Sequence, residues 1–330
     1  MTFYSSLEDK AGQRIMVGFD GVSLNNDLKF LIKNIRVNGI ILFKRNIESP
    51  EQVKDLISAA QEYAKSSGLP KLFVSIDQEG GTVSRLKEPF TQFPEGAAGI
   101  KTNEYAKYFA QVTASELKSI GVNMNMAPVL DIDPAGFNGI MKKRALGNTP
   151  QQVSVLGLSI INNLEKNRVM AVGKHFPGIG RTVLDSHFEL PKLDLTIEEL
   201  NDFELKPFEA AIRNGVSGLM ISHILYTKLD EKWPASLSPK IAKDLLRDKL
   251  GYDGLLITDD LDMKAVKHDI RTSVKQVLKS DIDIPLICKS GKRVEEAFDE
   301  IMRNLKDSNE LEISGNKSLE RILKLKKTFL

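Results

Sequence analysis

Residues 39–76 read GIILFKRNIESPEQVKDLISAAQEYAKSSGLPKLFVSI, and this stretch decides the fold. Its two ends, 39–43 and 71–76, are short and almost continuously apolar, which is typical of strands buried on both faces. Between them we predict a helix over 50–66, because the Ser-Pro pair at its start supplies a capping residue and a first-turn proline. The stretch therefore predicts two parallel strands joined by a helix.

The same alternation runs along the whole chain. Eight apolar runs are separated by segments with helical periodicity, which predicts an α/β fold, a single closed eightfold β/α (TIM) barrel over 1–330. An open doubly wound sheet is the alternative, although no Gly-x-Gly-x-x-Gly follows the first strand, as its dinucleotide-binding version would require. The six further strands are expected at 15–19, 123–129, 169–173, 218–223, 254–258 and 284–288.

The remaining helices are expected between and after these strands. The segment 196–214 opens with a capping box formed by Thr196 and Glu199. A last amphipathic helix is expected near 315–328 on the outside of the barrel. The other predicted helices are 103–120, 149–167, 239–250, 263–278 and 291–306.

Composition excludes several classes of protein. Lys and Arg number 46 and Asp and Glu 44, so the net charge of +2 gives no basic field for nucleic acid. The single cysteine, Cys288, excludes an intramolecular disulfide and a Cys-rich zinc site. Residues 1–10 lack the apolar core of a secretory signal, and no apolar run approaches the ~20 residues of a membrane-spanning helix. We therefore expect a cytoplasmic protein that binds neither nucleic acid nor membranes.

Functional side chains in a β/α barrel gather at the carboxyl ends of the strands, and this chain carries many polar residues there. Asp260 is expected to cap a helix that starts near Asp262, which leaves Asp259 as the freer carboxylate. Cys288 is expected to belong to the core, because no basic partner can be named for a nucleophilic thiol. The other polar residues at strand ends are Lys44, Arg45, Asn46, Asp77, Gln78, Glu79, Lys174 and His175, together with Asp131 and His223, for which we expect no role beyond lining the site.

The triplet Asp185-Ser186-His187 lies in the loop after the fifth strand. A carboxylate two residues from an imidazole can bond one ring nitrogen, which leaves the other nitrogen to exchange a proton with a substrate. Three other chemistries stay open. In the first, Ser186 would be the nucleophile of a Ser-His-Asp hydrolase, although no Gly-x-Ser-x-Gly surrounds it. In the second, a metal site would use His175, His187 and Asp185 as ligands, although no His-x-x-x-His spacing supports one. In the third, Lys174 would form the Schiff base of a lyase or aldolase.

Taken together, these residues resemble glycoside hydrolase family 3. The resemblance covers nearly the whole chain, and the order and spacing of its segments make it specific. Within the family, the chain looks most like the cytoplasmic, single-domain β-N-acetylglucosaminidases of bacterial peptidoglycan recycling. The segments that carry the resemblance are GIILFKRN at 39–46, DQEGGTVSR at 77–85, APVLD at 127–131, RALG at 144–147, GKHFPG at 173–178, DSH at 185–187, ITDDLDM at 257–263 and RILKLK at 321–326.

This resemblance implies a retaining exo-β-N-acetylglucosaminidase that removes terminal β-linked N-acetylglucosamine from peptidoglycan-derived muropeptides. It implies Asp259 as the nucleophile and His187, oriented by Asp185, as the general acid/base. It implies no cofactor and no metal, with a small carbohydrate or muropeptide as the partner, and we expect a monomer. The sugar-binding positions of the family fall on Asp77, Arg85, Arg144, Lys174 and His175.

The chain departs from the family in two segments. The family's Pro-Gly-His-Gly is Pro-Gly-Ile-Gly here, and Arg181 follows where a small or acidic residue is common. Because the side chain of Ile179 cannot make a polar contact, we expect the loop to be positioned differently. Arg-Ser-Phe-Gly becomes Arg-Ala-Leu-Gly at 144–147, which we expect to alter binding of the acetamido group. The alternatives are therefore a family 3 enzyme that prefers glucosides or xylosides, or a catalytically impaired sugar-binding relative.

Overall fold

Eight parallel strands form a closed barrel and follow one another around it in chain order. In this computed structural model, which describes residues 6–184 and 189–330, each strand pairs with the next, and the first pairs with the last through Met16 opposite Leu286. The predicted closed eightfold barrel is confirmed, and the open-sheet alternative is wrong. The strands are β1 (Met16–Val17), β2 (Gly39–Leu42), β3 (Phe73–Ile76), β4 (Met124–Asn125), β5 (Met170–Phe176), β6 (Gly218–Ile221), β7 (Leu255–Asp260) and β8 (Ile284–Ile287).

Every barrel strand falls on one of the apolar runs singled out in the sequence, but two strands extend further than predicted. β5 continues to Phe176, so Lys174 and His175 belong to the strand and are held by its ladder. β7 likewise includes Asp259 and Asp260. Strand backbone therefore positions both the basic pair and the acidic pair. Two small sheets lie in loops, Gln78–Gly80 with Val83–Ser84 and Lys192–Leu193 with Leu225–Tyr226.

Most of the described α-helices begin where the sequence supplies a side-chain cap. The side chain of Ser49 accepts the N–H of Gln52 at the start of one helix, and Thr196 and Glu199 form the predicted capping box at the start of another. Each cap satisfies backbone N–H groups that have no partner within the first turn. The α-helices are Leu7–Gly12, Asn26–Lys33, Pro50–Ser66, Asn103–Ser119, Pro150–Lys166, Ile197–Asp202, Leu205–Arg213, Ile270–Lys279, Lys292–Asp307 and Asn309–Phe329, and Lys240–Lys249 is a π-helix.

Two predicted helices are broken or begin late in the structure. The segment 196–214 is divided, because Phe203 has a non-helical backbone with φ −134° and ψ −75°. The segment 263–278 becomes helical only at Ile270, because Asp269 supplies the cap by accepting the N–H of Thr272. Sequence periodicity extends across both places, so it could not show the break or the late start.

The core has two layers, one inside the barrel and one between the strands and the helices. The inner layer is rich in methionine, whose flexible side chain fills irregular space. The outer layer contains the apolar faces of the helices, such as Val53, Leu56 and Ala60. The methionines inside the barrel are Met16, Met124, Met126, Met170 and Met220.

The last helix starts earlier than predicted, at Asn309, and packs against the inner core through Ile322. Next to that contact lies Lys326, whose ammonium donates to Oε1 of Gln13 at 3.0 Å and to the carbonyl of Asn38 at 2.9 Å. Burial lowers the pKa of Lys326 to about 7. No helix in the described ranges is both long and apolar enough to cross a membrane.

Candidate active site

A pocket of about 240 Å³ opens at the carboxyl ends of the barrel strands, the end at which β/α barrels carry their active sites. All five predicted sugar-binding residues and the predicted nucleophile line this pocket, so strand ends that are distant in sequence meet in one site. Its polar lining is Asp77, Glu79, Arg85, Arg144, Lys174, His175, Asp259 and Asp260, and its apolar lining includes Ile41, Phe43, Ile140, Met141, Ile179, Met220, Met263, Leu286 and Cys288.

Five charged side chains form a continuous chain of ion pairs along one wall. Nη2 of Arg85 lies 2.9 Å from Oδ2 of Asp77, and Nζ of Lys174 lies 2.7 Å from Oδ1 of Asp77. The same Nζ lies 2.6 Å from Oε1 of Glu79. Glu79 in turn accepts two hydrogen bonds from Arg144, at 2.8 and 2.9 Å. Such fork-to-fork pairing fixes both partners in one orientation.

This wall is ionised at neutral pH. Burial alone would raise the pKa of Asp77, but the charges of Lys174 and Arg85 hold it well below its usual range. Burial likewise opposes ionisation of Glu79, yet Lys174 and Arg144 keep its pKa below the ordinary value. The two carboxylates outweigh desolvation of Lys174 and raise the pKa of its ammonium. An amine that stays protonated is a poor Schiff-base nucleophile, so the lyase or aldolase alternative loses its chemical basis.

His175, which follows Lys174 in β5, is held by Asp131. Oδ2 of Asp131 lies 2.7 Å from Nδ1 of His175, and Oδ1 accepts the backbone N–H of Ile179 at 2.8 Å. The Asp131 carboxylate is completely buried. Asp131 was expected only to line the site, but it is absent from the pocket lining and acts from behind it.

Asp259, the last but one residue of β7, lies near two histidines. Burial would raise its pKa, but His223, His175 and the N–H of Asp260 hold that pKa below the ordinary value. Asp260 differs, because burial and its neighbour Asp262 raise its pKa. Adjacent carboxyl groups whose environments separate their pKa values are typical of active sites, and Asp259 is the one whose ionised form the site favours.

Asp260 does not cap a helix, so that prediction is wrong. Its Oδ1 accepts the N–H of Asp262 at 2.9 Å and that of Cys288 at 3.1 Å, which ties the end of β7 to β8. His223, expected only to line the site, supports the same turn. Its Nε2 donates to the carbonyl of Asp260 at 2.8 Å, and its Nδ1 lies 2.6 Å from Oγ of Ser236.

Cys288 is part of the pocket floor and remains a neutral thiol. It is buried, and burial together with Asp260 raises the pKa of the thiol well above its usual value. The thiolate is the nucleophilic form of cysteine, so Cys288 is unsuited to attack a substrate. This agrees with its predicted place in the core.

The loop after β5 is held by close contacts at Gly178 and Gly180. Gly180 passes so close to the preceding loop that a Cβ there would lie 1.6 Å from the carbonyl oxygen of Ile132, so no other residue fits. The hydroxyl of Tyr226 donates to the carbonyl of Gly178 at 2.7 Å. The predicted Asp185 and His187, with Ser186, lie outside the described residues.

Both departures from the family loop find partners. The side chain of Ile179 makes no polar contact, as expected, but its backbone N–H supplies one to Asp131. Nε of Arg181 lies 2.8 Å from Oε1 of Glu204, as an ion pair whose angles are not those of a hydrogen bond, and its guanidinium covers the ring of Phe203. The loop is therefore held without a histidine at position 179.

Glu79 is the site residue that sequence reasoning missed. Its place at a strand end predicts no role by itself, but it lies two residues after Asp77, the spacing that places side chains on one face of an extended chain. Within residues 6–184 and 189–330, no group of three or more His, Cys, Asp or Glu residues is arranged to hold a metal ion.

Known proteins resemble this chain in sequence and in fold. The profile described as Glycosyl hydrolase family 3 N terminal domain matches residues 6–325. A Beta-hexosaminidase from Methylococcus capsulatus is 33% identical over 277 residues, which are 82% of this chain and 81% of that protein. A solved family 3 β-N-acetylglucosaminidase from Paenibacillus sp. str. FPU-7 has a TM-score of 0.94 and 36% identity.

That superposition covers 98% of this chain and 63% of the Paenibacillus chain, so this chain spans less than two thirds of that protein. A solved β-N-acetylhexosaminidase from Beutenbergia cavernae has a TM-score of 0.90, with 99% of this chain and 100% of that chain covered. At 24% identity this last likeness shows the fold alone. The chain belongs to glycosyl hydrolase family 3. The predicted enzyme class, a glycoside hydrolase, is thereby confirmed.

Proposed function

We propose that this family 3 enzyme is a retaining exo-β-N-acetylglucosaminidase with Asp259 as its nucleophile. The observation that carries the proposal is the position of Asp259, a carboxylate of lowered pKa that lines the same pocket as the ion-paired wall of Asp77, Lys174 and Arg144. Relatives named Beta-hexosaminidase, at 30–33% identity, support the sugar preference.

The reaction follows from an anionic nucleophile and a proton donor. In the first step, a carboxylate oxygen of Asp259 bonds to the anomeric carbon, the glycosidic C–O bond breaks, and the imidazolium of His187 gives its proton to the departing oxygen. In the second step, His187 takes a proton from water, the water oxygen bonds to the anomeric carbon, and Asp259 departs as a carboxylate. The roles of His187 and of Asp185, which orients it, rest on the family resemblance.

The wall of ion pairs suits a sugar ring. Carboxylate oxygens of Asp77 can accept hydrogen bonds from hydroxyl groups, and Arg85 and Arg144 can donate to hydroxyl or acetamido oxygens. The cavity of about 240 Å³ is smaller than the roughly 300–1,000 Å³ usual for ligand sites. A pocket of this size fits one terminal sugar, which supports exo action.

The natural substrate and the compartment belong to the same proposal. The resemblance to family members of peptidoglycan recycling supports a muropeptide substrate in the cytoplasm. Incubation with a β-N-acetylglucosaminyl-anhydromuramyl peptide is expected to release free N-acetylglucosamine, measured by mass spectrometry. Faster cleavage of a chitin disaccharide would contradict the muropeptide assignment, and recovery of the protein outside the cytoplasm would contradict the location.

A panel of chromogenic glycosides tests the reaction and the sugar preference together. We expect hydrolysis of the β-N-acetylglucosaminide with little activity on the glucoside or xyloside. Asp259→Asn should lose at least roughly 1,000-fold in kcat, because removal of a nucleophile abolishes the covalent route. Asp253→Asn, at a side chain that is 81% exposed, is the matched control and should keep full activity. Preference for a glucoside, or an active Asp259→Asn, would contradict the proposal.

A further inference from the structure

The carboxylate of Asp131 touches two separate parts of the site. Oδ2 lies 2.7 Å from Nδ1 of His175, and Oδ1 accepts the N–H of Ile179 at 2.8 Å. The backbone N–H of His175 lies 3.3 Å from both oxygens. A fully buried carboxylate is costly to desolvate unless its oxygens are bonded, and these contacts supply the bonds.

The contact with His175 fixes the imidazole. An aspartate oxygen only accepts hydrogen bonds, so Nδ1 of His175 carries the proton, and Nε2 is left for the pocket that this residue lines. Asp259 lines the same pocket and is electrostatically stabilised by His175. The orientation of this ring therefore bears on the nucleophile.

The contact with Ile179 fixes the loop. Ile179 lies six residues before Asp185. Its backbone bond to Asp131 acts together with the close approach of Gly180 to Ile132. Both contacts join the loop after β5 to the segment after β4. The segment after β4 therefore fixes the position of the start of the loop after β5.

We propose that Asp131 is a positioning residue that acts both on the nucleophile side of the site, through His175, and on the acid/base side, through the loop after β5. One carboxylate sets the ring of His175 beside the nucleophile and sets the start of the loop that leads to the acid/base. The inference rests on the proposed function, because only in that function does a residue of this loop, His187, transfer a proton to the substrate.

Two substitutions separate the two contacts. In Asp131→Asn, the amide oxygen can still accept the N–H of Ile179, but the amide NH₂ then faces Nδ1 of His175 and forces the proton onto Nε2. In Asp131→Ala, both contacts are lost. Asp133→Asn is the matched control, because within the described residues its carboxylate bonds to neither His175 nor Ile179.

The expected results differ between the variants. Asp131→Asn should lower kcat roughly 100-fold with KM changed less than roughly threefold, because a wrong tautomer impairs chemistry more than binding. Nitrogen NMR should show a proton on Nδ1 of His175 in the wild type and no proton on that nitrogen in Asp131→Asn. Hydrogen exchange at the amide of Ile179 should stay slow in Asp131→Asn and become fast in Asp131→Ala.

Each measurement can overturn the proposal. A wild-type His175 whose Nδ1 carries no proton contradicts it without need of any variant. So does an Asp131→Asn enzyme with the kcat of Asp133→Asn, or an Ile179 amide that stays protected in Asp131→Ala. If the wild type hydrolyses no N-acetylglucosaminide, the proposed function fails, whereas the NMR and exchange results still decide whether Asp131 holds both contacts.

Discussion

Replacing Glu79 by glutamine removes one negative charge from the centre of the ion-paired wall while keeping the volume of the side chain. Glu79 is 4% exposed and contacts both Lys174 and Arg144. Breaking a buried ion pair costs about 3–5 kcal/mol. We expect the lower end, about 3 kcal/mol, because Asp77 still neutralises Lys174 and the amide oxygen can accept one hydrogen bond.

The assay is chemical unfolding of Glu79→Gln followed by circular dichroism, with kcat/KM measured on the same preparation. We expect kcat/KM to fall at least roughly tenfold, which is about 1.4 kcal/mol, because Lys174 and Arg144 lose the group that orients them.

Glu296→Gln is the matched control. The carboxylate of Glu296 lies 3.7 Å from the ammonium of Lys292, which is 88% exposed, and an exposed pair contributes at most about 0.5 kcal/mol here. If Glu79→Gln destabilises the protein no more than Glu296→Gln does, the wall of ion pairs does not stabilise the folded protein.

Three further predictions concern other parts of the molecule. Lys326→Met tests the buried lysine, whose pKa of about 7 in the folded protein lies below its pKa in the unfolded chain. Between these two pKa values the unfolded state binds more protons, so from pH 7.0 to 8.5 the free energy of unfolding of the wild type should rise by about 1.5 kcal/mol relative to the variant. Equal pH dependence of unfolding in the two proteins would contradict this. Gly180→Ala should cost roughly 1–3 kcal/mol and lower kcat by displacing the loop. Gly215→Ala meets open space but has a φ of 76°, so it should cost roughly 1 kcal/mol of backbone strain and leave kcat unchanged. Equal kcat values in the two variants would refute the steric argument. Thr196→Ala should lower the free energy of unfolding by about 1 kcal/mol through loss of the capping box, and no change in urea unfolding would exclude that role.

The barrel was predictable because its strands are buried on both faces, which leaves continuous apolar runs in the sequence. Helix starts were predictable where a side chain supplies a cap, as at Ser49 and Thr196. The break at Phe203 and the late start at Ile270 were not, because apolar periodicity continues through both. Residue pattern alone does not contain the backbone angles that end a helix.

The site was predictable to the extent that barrel strands bring their carboxyl ends together. That rule, with the family motifs, places Asp77 and Asp259 in one pocket. It could not predict what Asp131 and His223 do, because their partners come from other segments whose distances only the fold defines. Glu79 could have been found from its spacing to Asp77.

The central claim is that Asp259 forms a covalent bond to the sugar, and the most direct test is trapping of that intermediate. The enzyme is treated with a 5-fluoro-N-acetylglucosaminyl fluoride, digested, and its peptides are sequenced by mass spectrometry. We predict one added 5-fluoro-N-acetylglucosaminyl group, on Asp259, and loss of activity in step with labelling. A label on another residue, or an enzyme that hydrolyses N-acetylglucosaminides and is never labelled, would contradict the account.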